Sequence, residues 1–159
     1  MLFRSVVKIG ADVIMEIYIK RFEELSSEEL YEIIKIRVAI FCLEQNCLYQ
    51  DLDDKDKNAY HVYIKENDKI KAYLRVLDKG ISFDEISIGR VLTTERGVGF
   101  GNIILKEGIR VAKEKMNADK IKIEAQSYAK GYYEKFGFKQ ISDEFLEDGI
   151  PHIKMILNI

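Results

Sequence analysis

Six stretches of the chain have the pattern of apolar and polar residues that is typical of strands. The first begins near Met15, where MEIYIKRFEEL indicates a strand that runs into a turn. The pattern predicts further strands at Tyr60–Lys65, Ile70–Leu77, Ile86–Thr93, Lys120–Ala125 and Ile153–Leu157. Asn67 and Asp68 are turn-forming residues, so the strands on either side of them are expected to form a hairpin.

Three other stretches repeat their apolar residues at helical intervals. Ser26-x-x-Glu29 is a capping-box pattern and predicts the start of a helix with one face toward the core. The apolar stripe of that face is Leu30, Ile33, Ile34, Val38 and Phe41. A second helix follows from the spacing of Ile104, Leu105, Gly108, Val111, Ala112 and Met116. The third, Tyr128–Phe136, ends at Gly137, which suits a helix C-cap.

The order of these elements predicts the fold class. Short turns make the early strands antiparallel, whereas Ile86–Thr93 and Lys120–Ala125 flank a helix and are expected to be parallel neighbours. We therefore predict an α/β fold (a mixed α+β arrangement) with a central, mostly antiparallel sheet flanked by helices. The 159 residues suit one domain, 1–159, in which residues 1–14 form an extension before an alternative start at Met15.

Composition excludes several classes of protein. Hydrophobic residues make up 47% and charged residues 33%, which is enough apolar material for a folded core. The formal net charge is −2, without a basic surplus, so no nucleic acid partner is expected. No apolar run approaches the roughly 18 residues of a membrane span, and the N-terminus lacks a signal-peptide pattern. We expect a cytoplasmic monomer or homodimer with no membrane partner.

The cysteines and histidines do not form a metal-binding pattern. Cys42 and Cys47 have the spacing of half a zinc site, but His61 and His152 are far apart in sequence, so no metal is expected. A disulfide is not expected either. Cys42 is expected to pack in the core and Cys47 to be a free thiol in a loop.

The polar stretch Glu44–Asp56 is expected to be a loop with a short helix. Its aspartates do not follow the calcium-loop pattern, because Lys55 and the missing glycine break it. Two interpretations of Asp51, Asp53, Asp54 and Asp56 stay open. They form either a solvated acidic loop or an acidic wall that attracts a cationic substrate.

The turn Arg96–Gly101 is a candidate ligand-binding segment. Its three alternating glycines permit positive φ and a close approach of backbone to a ligand, at the start of the predicted second helix. Converging N–H groups there suit a phosphate or pyrophosphate, and Arg96 adds a fork of donors. The spacing fits neither a Rossmann turn nor a Walker loop. A tight turn without any ligand is the plain structural alternative.

A second motif, Tyr133-Glu134-Lys135-Phe136-Gly137-Phe138, follows the next strand. Together, Arg-x-x-Gly-x-Gly and Tyr-x-x-x-Gly-Phe in this order resemble the Gcn5-related N-acetyltransferase (GNAT) family. The resemblance implies a GNAT-like acyl-CoA N-acyltransferase fold. It also implies acetyl-coenzyme A as the donor of an acetyl group to a primary amine of a small molecule or peptide. The donor-binding residues that it implies are Val91, Leu92, Thr93, Arg96, Gly97, Val98, Gly99, Phe100, Gly101 and Tyr133. The pyrophosphate is expected on the glycine turn and the pantetheine arm along Val91–Thr93.

From about residue 16 onward the chain resembles the ElaA group within that family. Two departures are Leu48, where proline is common, and a shorter link from Val91 to Arg96. The matching segments are Phe41 with Glu44-Gln45-Asn46-Cys47, Tyr49-Gln50-Asp51, His61, Ala72-Tyr73-Leu74-Arg75, Ile88-Gly89-Arg90-Val91, Ala125-Gln126 and Glu147-Asp148-Gly149-Ile150-Pro151-His152.

Acetyl transfer assigns candidate roles to the matched residues. Tyr133 is expected beside the thioester sulfur as the acid that protonates the leaving thiolate. The amine must also lose a proton, which costs about 4.6 kcal/mol for a lysine-like amine at pH 7. Glu44, His61 and His152 are the candidate bases, with an ordered-water relay as the alternative. Glu44 is also a candidate for binding the amine without deprotonating it.

Three polar residues of the predicted strands are candidates for substrate contact. Arg75 and Arg90 either pair with carboxylates of the fold, the favoured interpretation, or bind a substrate carboxylate. Gln126, at the end of Lys120–Ala125, is expected to hydrogen-bond the acceptor. Two functions therefore follow from the sequence, an N-acetyltransferase and a non-catalytic acyl-coenzyme A-binding domain of the same fold.

Overall fold

The computed structural model describes residues 3–8 and 14–159, with side chains from Met15 onward. Strands and helices alternate there in a mixed α/β arrangement, as predicted. The strands are β1 Phe3–Lys8, β2 Ile14–Arg21, β3 Ala59–Glu66, β4 Lys69–Leu77, β5 Ser87–Thr93, β6 Lys120–Gln126, β7 Lys139–Gln140, β8 Phe145–Glu147 and β9 Ile150–Asn158. The helices are α1 Ser27–Arg37, α2 Phe100–Met116 and α3 Lys130–Glu134.

The first sheet runs in chain order from β1 to β5 and is antiparallel throughout. Asn67 and Asp68 join β3 to β4 with φ angles of 51° and 63°. Two residues with positive φ form the type of turn that matches the twist of a hairpin, and Asn and Asp tolerate this conformation. The predicted hairpin is confirmed.

The second sheet has β9 at its centre, paired with β6, β7 and β8. The two sheets meet at one parallel bridge, Ile86 to Ile121, where the N–H of Lys122 donates to the carbonyl of Ile86 over 2.9 Å. Beyond this bridge, no ladder pairs β5 with β6 in the described part of the chain. The predicted parallel neighbours are thus joined at one end only, and the expected single sheet is split into two.

Helix α2 packs its predicted apolar face onto the first sheet. Ile104, Leu105, Val111 and Ala112 are fully buried in the core. Gly108 allows this packing, because a Cβ at that position would lie 2.8 Å from the Leu74 side chain of β4. The helix and the sheet can therefore pack closely at Gly108, where the helix has no side chain.

Helix α1 begins as predicted, with Glu29 N–H donating to Ser26 Oγ over 3.1 Å. Its core face differs from the predicted stripe. Ile33 is fully buried and Phe41 packs against the same cluster, whereas most of the stripe is half-exposed and Arg37 is fully buried instead. Residues 38–44 then continue α1 as a wider π-helical turn, which departs from the 3.6-residue period on which the predicted stripe was based.

Strand β1 lies within the segment expected to be an extension. It pairs with β2 from Phe3–Ile19 to Lys8–Ile14. The sequence did not predict this strand. Residues 1–2 and 9–13 of the proposed extension lie outside the described residues, and the start at Met15 stays a prediction.

Candidate active site

A cleft of about 800 Å³ opens where β5 and β6 separate. Residues 87–93 line one side of it, and Glu124–Gln126 line the other. Helix α3 contributes Tyr132 and Tyr133, and the β8–β9 hairpin contributes His152. A concave space of this size, walled by strand backbone and a few polar side chains, is typical of a ligand site.

Strand β5 carries a bulge inside this cleft. Tyr73 pairs with Leu92 and Arg75 with Gly89, so two residues of β5 lie opposite one residue of β4. Arg90 is one of the two and has a φ of 54°, a left-handed conformation that is strained for a residue with a side chain. The bulge removes Arg90 and Val91 from regular pairing with β4. Their backbone is thereby available to a ligand lying along β5.

The glycine turn leads from β5 into α2, as the sequence predicted. Gly97 and Gly99 have φ angles of 77° and 87°, which other residues rarely adopt. In the described part of the chain, the N–H groups of residues 97–102 donate no hydrogen bond. Unpaired donors at the N-terminus of a helix of 17 residues attract anions. The turn therefore fits a phosphate or pyrophosphate group.

Tyr133 is half-buried and lines the cleft. Its ring packs edge-to-face on Tyr132 and Phe138, with centroid distances of 5.0 and 5.7 Å. Burial, reinforced by Tyr132 and Tyr128, raises the pKa of the Tyr133 phenol, so it stays protonated at neutral pH. Its hydroxyl has no hydrogen-bond partner among residues 3–8 and 14–159, and it can donate to a ligand.

Tyr132, unlike Tyr133, has its hydroxyl bonded within the protein. Its hydroxyl donates to the carbonyl of Gly101, which ties α3 to the first turn of α2. Burial raises the pKa of Tyr132 to about 12, so this donor also keeps its proton. The contact holds the wall that carries Tyr133 at a fixed position relative to the glycine turn.

A protein-family model described as an acetyltransferase (GNAT) domain matches residues 23–159 of the chain. The chain belongs to the GNAT family. It is therefore an acyl-coenzyme A-dependent acyltransferase in the broad sense. The expected fold class, a GNAT-like acyl-CoA N-acyltransferase fold, is also confirmed.

Several relatives place the chain among the ElaA-like GNAT proteins. A UPF0039 protein of Synechocystis is 36% identical over 144 residues, 88% of this chain and 93% of that protein. Protein ElaA of Escherichia coli is 34% identical over 136 residues, 83% of this chain and 89% of ElaA. The ElaA crystal structure matches with a TM-score of 0.82 at 31% identity, covering 89% of this chain and 98% of that chain. An acyl-CoA N-acyltransferase from Pseudomonas aeruginosa matches with a TM-score of 0.83 at 30% identity, covering 88% and 97%.

Gln126 on β6 and His152 on β9 are paired residues of neighbouring strands, and both line the cleft. Gln126 Nε2 donates to Gln45 Oε1 over 3.1 Å, which spans from β6 to the loop after residues 38–44. His152 Nδ1 lies 2.7 Å from the carbonyl of Ile150 and must donate to it. Its other nitrogen, Nε2, then points toward Glu147, 3.9 Å away.

Glu124 is a cleft residue that the sequence analysis missed. It lies on β6 two residues before Gln126, so both side chains are on the polar face of the strand. Burial and the neighbouring Glu147 carboxyl raise the pKa of Glu124. The alternation of Lys120–Ala125, which predicted the strand, also carried the signal that Glu124 and Gln126 share a face.

Glu44 lies at the end of the π-helical segment, next to the glycine turn of this GNAT domain. Its Oε1 accepts from Arg96 Nη2 over 2.7 Å. The Arg96 side chain is 88% exposed, and Glu44 is not among the residues that line the cleft. Glu44 thus lies beside the glycine turn and outside the set of residues that line the cleft.

His61 lies in the core and not at the cleft. It is fully buried, with Nε2 2.9 Å from the carbonyl of Asp56 and Nδ1 2.8 Å from Tyr73 Oη. A carbonyl can only accept, so Nε2 carries the proton and Nδ1 accepts from the tyrosine. Burial lowers the pKa of His61, which keeps the ring neutral. Both ring nitrogens of His61 are thus bonded to protein atoms in the core, which favours a structural role for His61 over that of a base.

The acidic loop is paired with arginines, which corrects both sequence interpretations of it. Asp51 and Asp56 are buried, and arginines of α1, β4 and β5 neutralise the loop. The ion pairs are Arg37–Asp51 (2.9 Å), Arg37–Asp56 (2.7 Å), Arg75–Asp53 (2.6 Å), Arg75–Asp56 (2.9 Å), Arg90–Asp51 (2.8 Å) and Arg90–Asp53 (3.5 Å). Asp54 alone of the four aspartates has a largely exposed side chain, paired with Lys57.

Arg75 and Arg90 both line the cleft while their guanidinium groups hold this loop. The favoured interpretation, pairing with carboxylates of the fold, is confirmed for both. Arg90 also sits on the bulge, and Tyr49 packs its ring 5.4 Å from the guanidinium carbon. Contact of Arg75 with a substrate stays a prediction.

The two cysteines exchange their expected environments. Cys47 is buried, and its Sγ lies 3.5 Å from the carbonyl of Asp148, whereas Cys42 is half-exposed. Both are free thiols. The reason is the turn after residue 44, which folds Cys47 back under the β8–β9 hairpin. Among the described residues, no cluster of three His, Cys, Asp or Glu could hold a metal, and no helix is long and apolar enough to cross a membrane.

Proposed function

We propose that this chain is an N-acetyltransferase that transfers the acetyl group of acetyl-coenzyme A to a primary amine of a small molecule or peptide. The family model is an acetyltransferase domain, which supports acetyl as the group transferred. The observation that carries the proposal is the cleft itself. One opening, between β5 and β6, combines the backbone bulge of β5, the Tyr133 phenol and an anion-binding turn at its edge.

The donor is proposed to lie along β5. The unpaired N–H groups of the glycine turn suit its pyrophosphate, and Arg96 provides further donors once it leaves Glu44. The bulged backbone at Arg90 and Val91 offers hydrogen bonds to the amide-containing pantetheine arm. This arrangement leads the thioester from the turn toward the middle of the cleft, where Tyr133 lies.

Tyr133 is proposed to protonate the leaving thiolate. The nitrogen attacks the thioester carbonyl, a C–N bond forms, and the C–S bond breaks. Burial raises the pKa of the phenol, which keeps it protonated and uncharged, so it has a proton to give to the departing sulfur. General acid assistance of this kind contributes roughly 10²–10⁴-fold in rate.

The test measures free thiol released from acetyl-coenzyme A with a panel of amines, including a lysine-containing peptide, a polyamine and an arylamine. Mass spectrometry of the product must show the amine gaining an acetyl group. Propionyl- and hexanoyl-coenzyme A show whether acetyl is preferred. Saturable binding of acetyl-coenzyme A without turnover on any amine would instead support the non-catalytic acyl-coenzyme A-binding domain.

Replacing the tyrosine tests the proposed acid. Tyr133→Phe is expected to lower kcat by about 10²-fold or more, with KM for acetyl-coenzyme A nearly unchanged, because the ring and its packing remain. Tyr31→Phe is the matched control, since Tyr31 is 72% exposed on α1, away from the cleft. An unchanged kcat in Tyr133→Phe would remove Tyr133 from the role.

A further inference from the structure

Lys55 is the cation of the cleft that the fold leaves without a carboxylate. The lysine and arginine side chains that line the cleft, within residues 3–8 and 14–159, are Lys55, Arg75 and Arg90. Aspartates of the acidic loop neutralise both arginines. Lys55 is half-buried, and in the same part of the chain its Nζ donates to a neutral group, Ser82 Oγ, over 2.9 Å. The cleft therefore keeps one positive charge that can pair with a ligand.

The backbone of the acidic loop fixes the position of Lys55. Its N–H donates to Asp53 Oδ1 over 3.2 Å, and Asp54 between them has a φ of 64°, so the chain turns sharply at this point. Asp53 is in turn bound by Arg75 of β4. Because the loop is tied to the first sheet through these contacts, the Lys55 side chain starts from a fixed place beside the cleft.

The segment that carries Ser82 adds positive charge at the same end of the cleft. Phe83, the next residue, also lines the cleft, and the Nζ atoms of Lys122 and Lys154 lie 4.8 and 5.8 Å from the centroid of its ring. Lys154 interacts electrostatically with Glu124, its partner across β6 and β9, whereas Lys122 forms no ion pair with the described residues. Charges of one sign at a cleft attract ligands of the other sign. This end of the cleft therefore favours an anionic group.

The chemistry of the site suits one carboxylate and not a polyanion. An ammonium group has three donors, and Lys55 uses one of them on Ser82, so two remain. The Ser82 hydroxyl accepts from Lys55 and still has its own proton to donate to the same ligand. Hydrogen bonds between an ammonium and a carboxylate are charge-assisted and strong. Glu124 and Glu147 also line the cleft and repel a group with several negative charges, such as a nucleotide.

We propose that Lys55 and Ser82 bind a carboxylate of the acceptor, which is an amino acid or short peptide with its amine several bonds from that carboxylate. The proposal rests on the proposed function and names the class of amine. Ser82 precedes β5 and the glycine turn follows it, so acceptor and donor enter from opposite ends of this strand. Seven extended residues span about 20 Å, which leaves the amine and the thioester room to meet between the two ends.

The kinetic test compares acids with their neutral amides. The full chain and acetyl-coenzyme A are assayed with γ-aminobutyrate and ε-aminocaproate, and with the carboxamide of each. In wild type, kcat/KM is expected to be about tenfold or more higher for the acid than for the amide of the better pair, because the amide cannot form the charge-assisted pair. Added salt is expected to reduce this preference.

Variants of the lysine test whether Lys55 causes the preference. Lys55→Met removes the charge and is expected to lower kcat/KM for the acid about tenfold, mainly through KM, with the amide within about twofold of wild type. Lys55→Arg keeps the charge, so most of the preference is expected to remain. Lys57→Met is the matched control, since Lys57 is an exposed lysine of the same loop that pairs with Asp54 and does not line the cleft.

The outcomes separate this inference from the proposed function. Equal use of acid and amide by wild type, or an acid preference that survives Lys55→Met, would overturn the inference alone. Turnover of other amines with neither acid as a substrate would overturn it as well. Absence of wild-type turnover on every amine would overturn the proposed function and this inference with it.

Discussion

At the scale of single residues, the polar groups buried near the cleft mostly stabilise the fold. His61 is the clearest example, because both of its ring nitrogens are bonded to protein atoms in the core. Arg37 is fully buried as well, between two aspartates of the loop. Side chains of this kind fix a loop against a sheet and are costly to remove, because each leaves an unpaired partner behind.

Removing the histidine is expected to weaken the fold and spare the chemistry. His61→Ala leaves Tyr73 and the Asp56 carbonyl without their partner, at a cost of about 1–3 kcal/mol for each unsatisfied group. Urea unfolding measures this loss, and the folded variant is expected to keep the wild-type kcat. A stable His61→Ala protein with a large loss of kcat would restore His61 as a candidate base.

The ion pairs of the acidic loop are expected to make the stability of the fold depend on pH in the acidic range. Burial disfavours the Asp53 carboxylate, but the hydrogen bond and charge of Arg75 outweigh it and lower its pKa from 3.8 to about 2. A carboxylate with a lower pKa in the folded state stabilises that state above its unfolded pKa, and the gain is lost as pH falls toward 2.

We therefore expect the free energy of unfolding to fall between pH 4 and pH 2, and to fall less in Asp53→Asn. Asp54→Asn is the control, because Asp54 is an exposed carboxylate of the same loop. Denaturant titrations at each pH check this expectation. Parallel curves for wild type and Asp53→Asn would contradict it.

The residues of the site differ in how far the sequence reveals them. Tyr133, Gln126 and His152 were found through family motifs, and all three line the cleft. Glu124 belongs to no motif, and only its position on the polar face of β6 marks it. His61 has a matching position in the motif, but burial decides its role, and burial of one histidine cannot be read from strand alternation.

At the scale of elements, the glycine turn and the π-helical segment 38–44 are joined by the Arg96–Glu44 pair. The turn was predictable because its glycines and the helix pattern after it are local signals. The π-helical turn was not, since no local signal marks it, and Arg37 just before it pairs with a loop more than ten residues away. The same long-range pairing explains why the acidic loop is not solvated.

Breaking this pair is expected to help the donor to bind. Glu44→Gln leaves Arg96 free for a phosphate, so KM for acetyl-coenzyme A is expected to fall while kcat changes little. Glu95→Gln is the control, because the Glu95 carboxylate lies just before the turn and pairs with Lys71 instead. A large fall in kcat with unchanged KM for the donor would show that Glu44 acts as a base.

At the scale of the whole molecule, the proposed function rests on the split between two sheets. The sequence predicted β5 and β6 as parallel neighbours, and the bridge between Ile86 and Ile121 satisfies that expectation at one end. Beyond the bridge they border a cleft that also includes the bulge at Arg90 and side chains of α3, an arrangement that local patterns do not encode. The cleft between β5 and β6 is the central feature of the proposed function.

An NMR titration of the ¹⁵N-labelled chain with acetyl-coenzyme A tests that feature most directly. We expect saturable shifts that are largest at the N–H groups of Gly97–Asn102 and of Val91–Thr93, with small shifts on β1 to β3. Saturable shifts centred on another face, with the glycine turn and β5 unaffected, would contradict it.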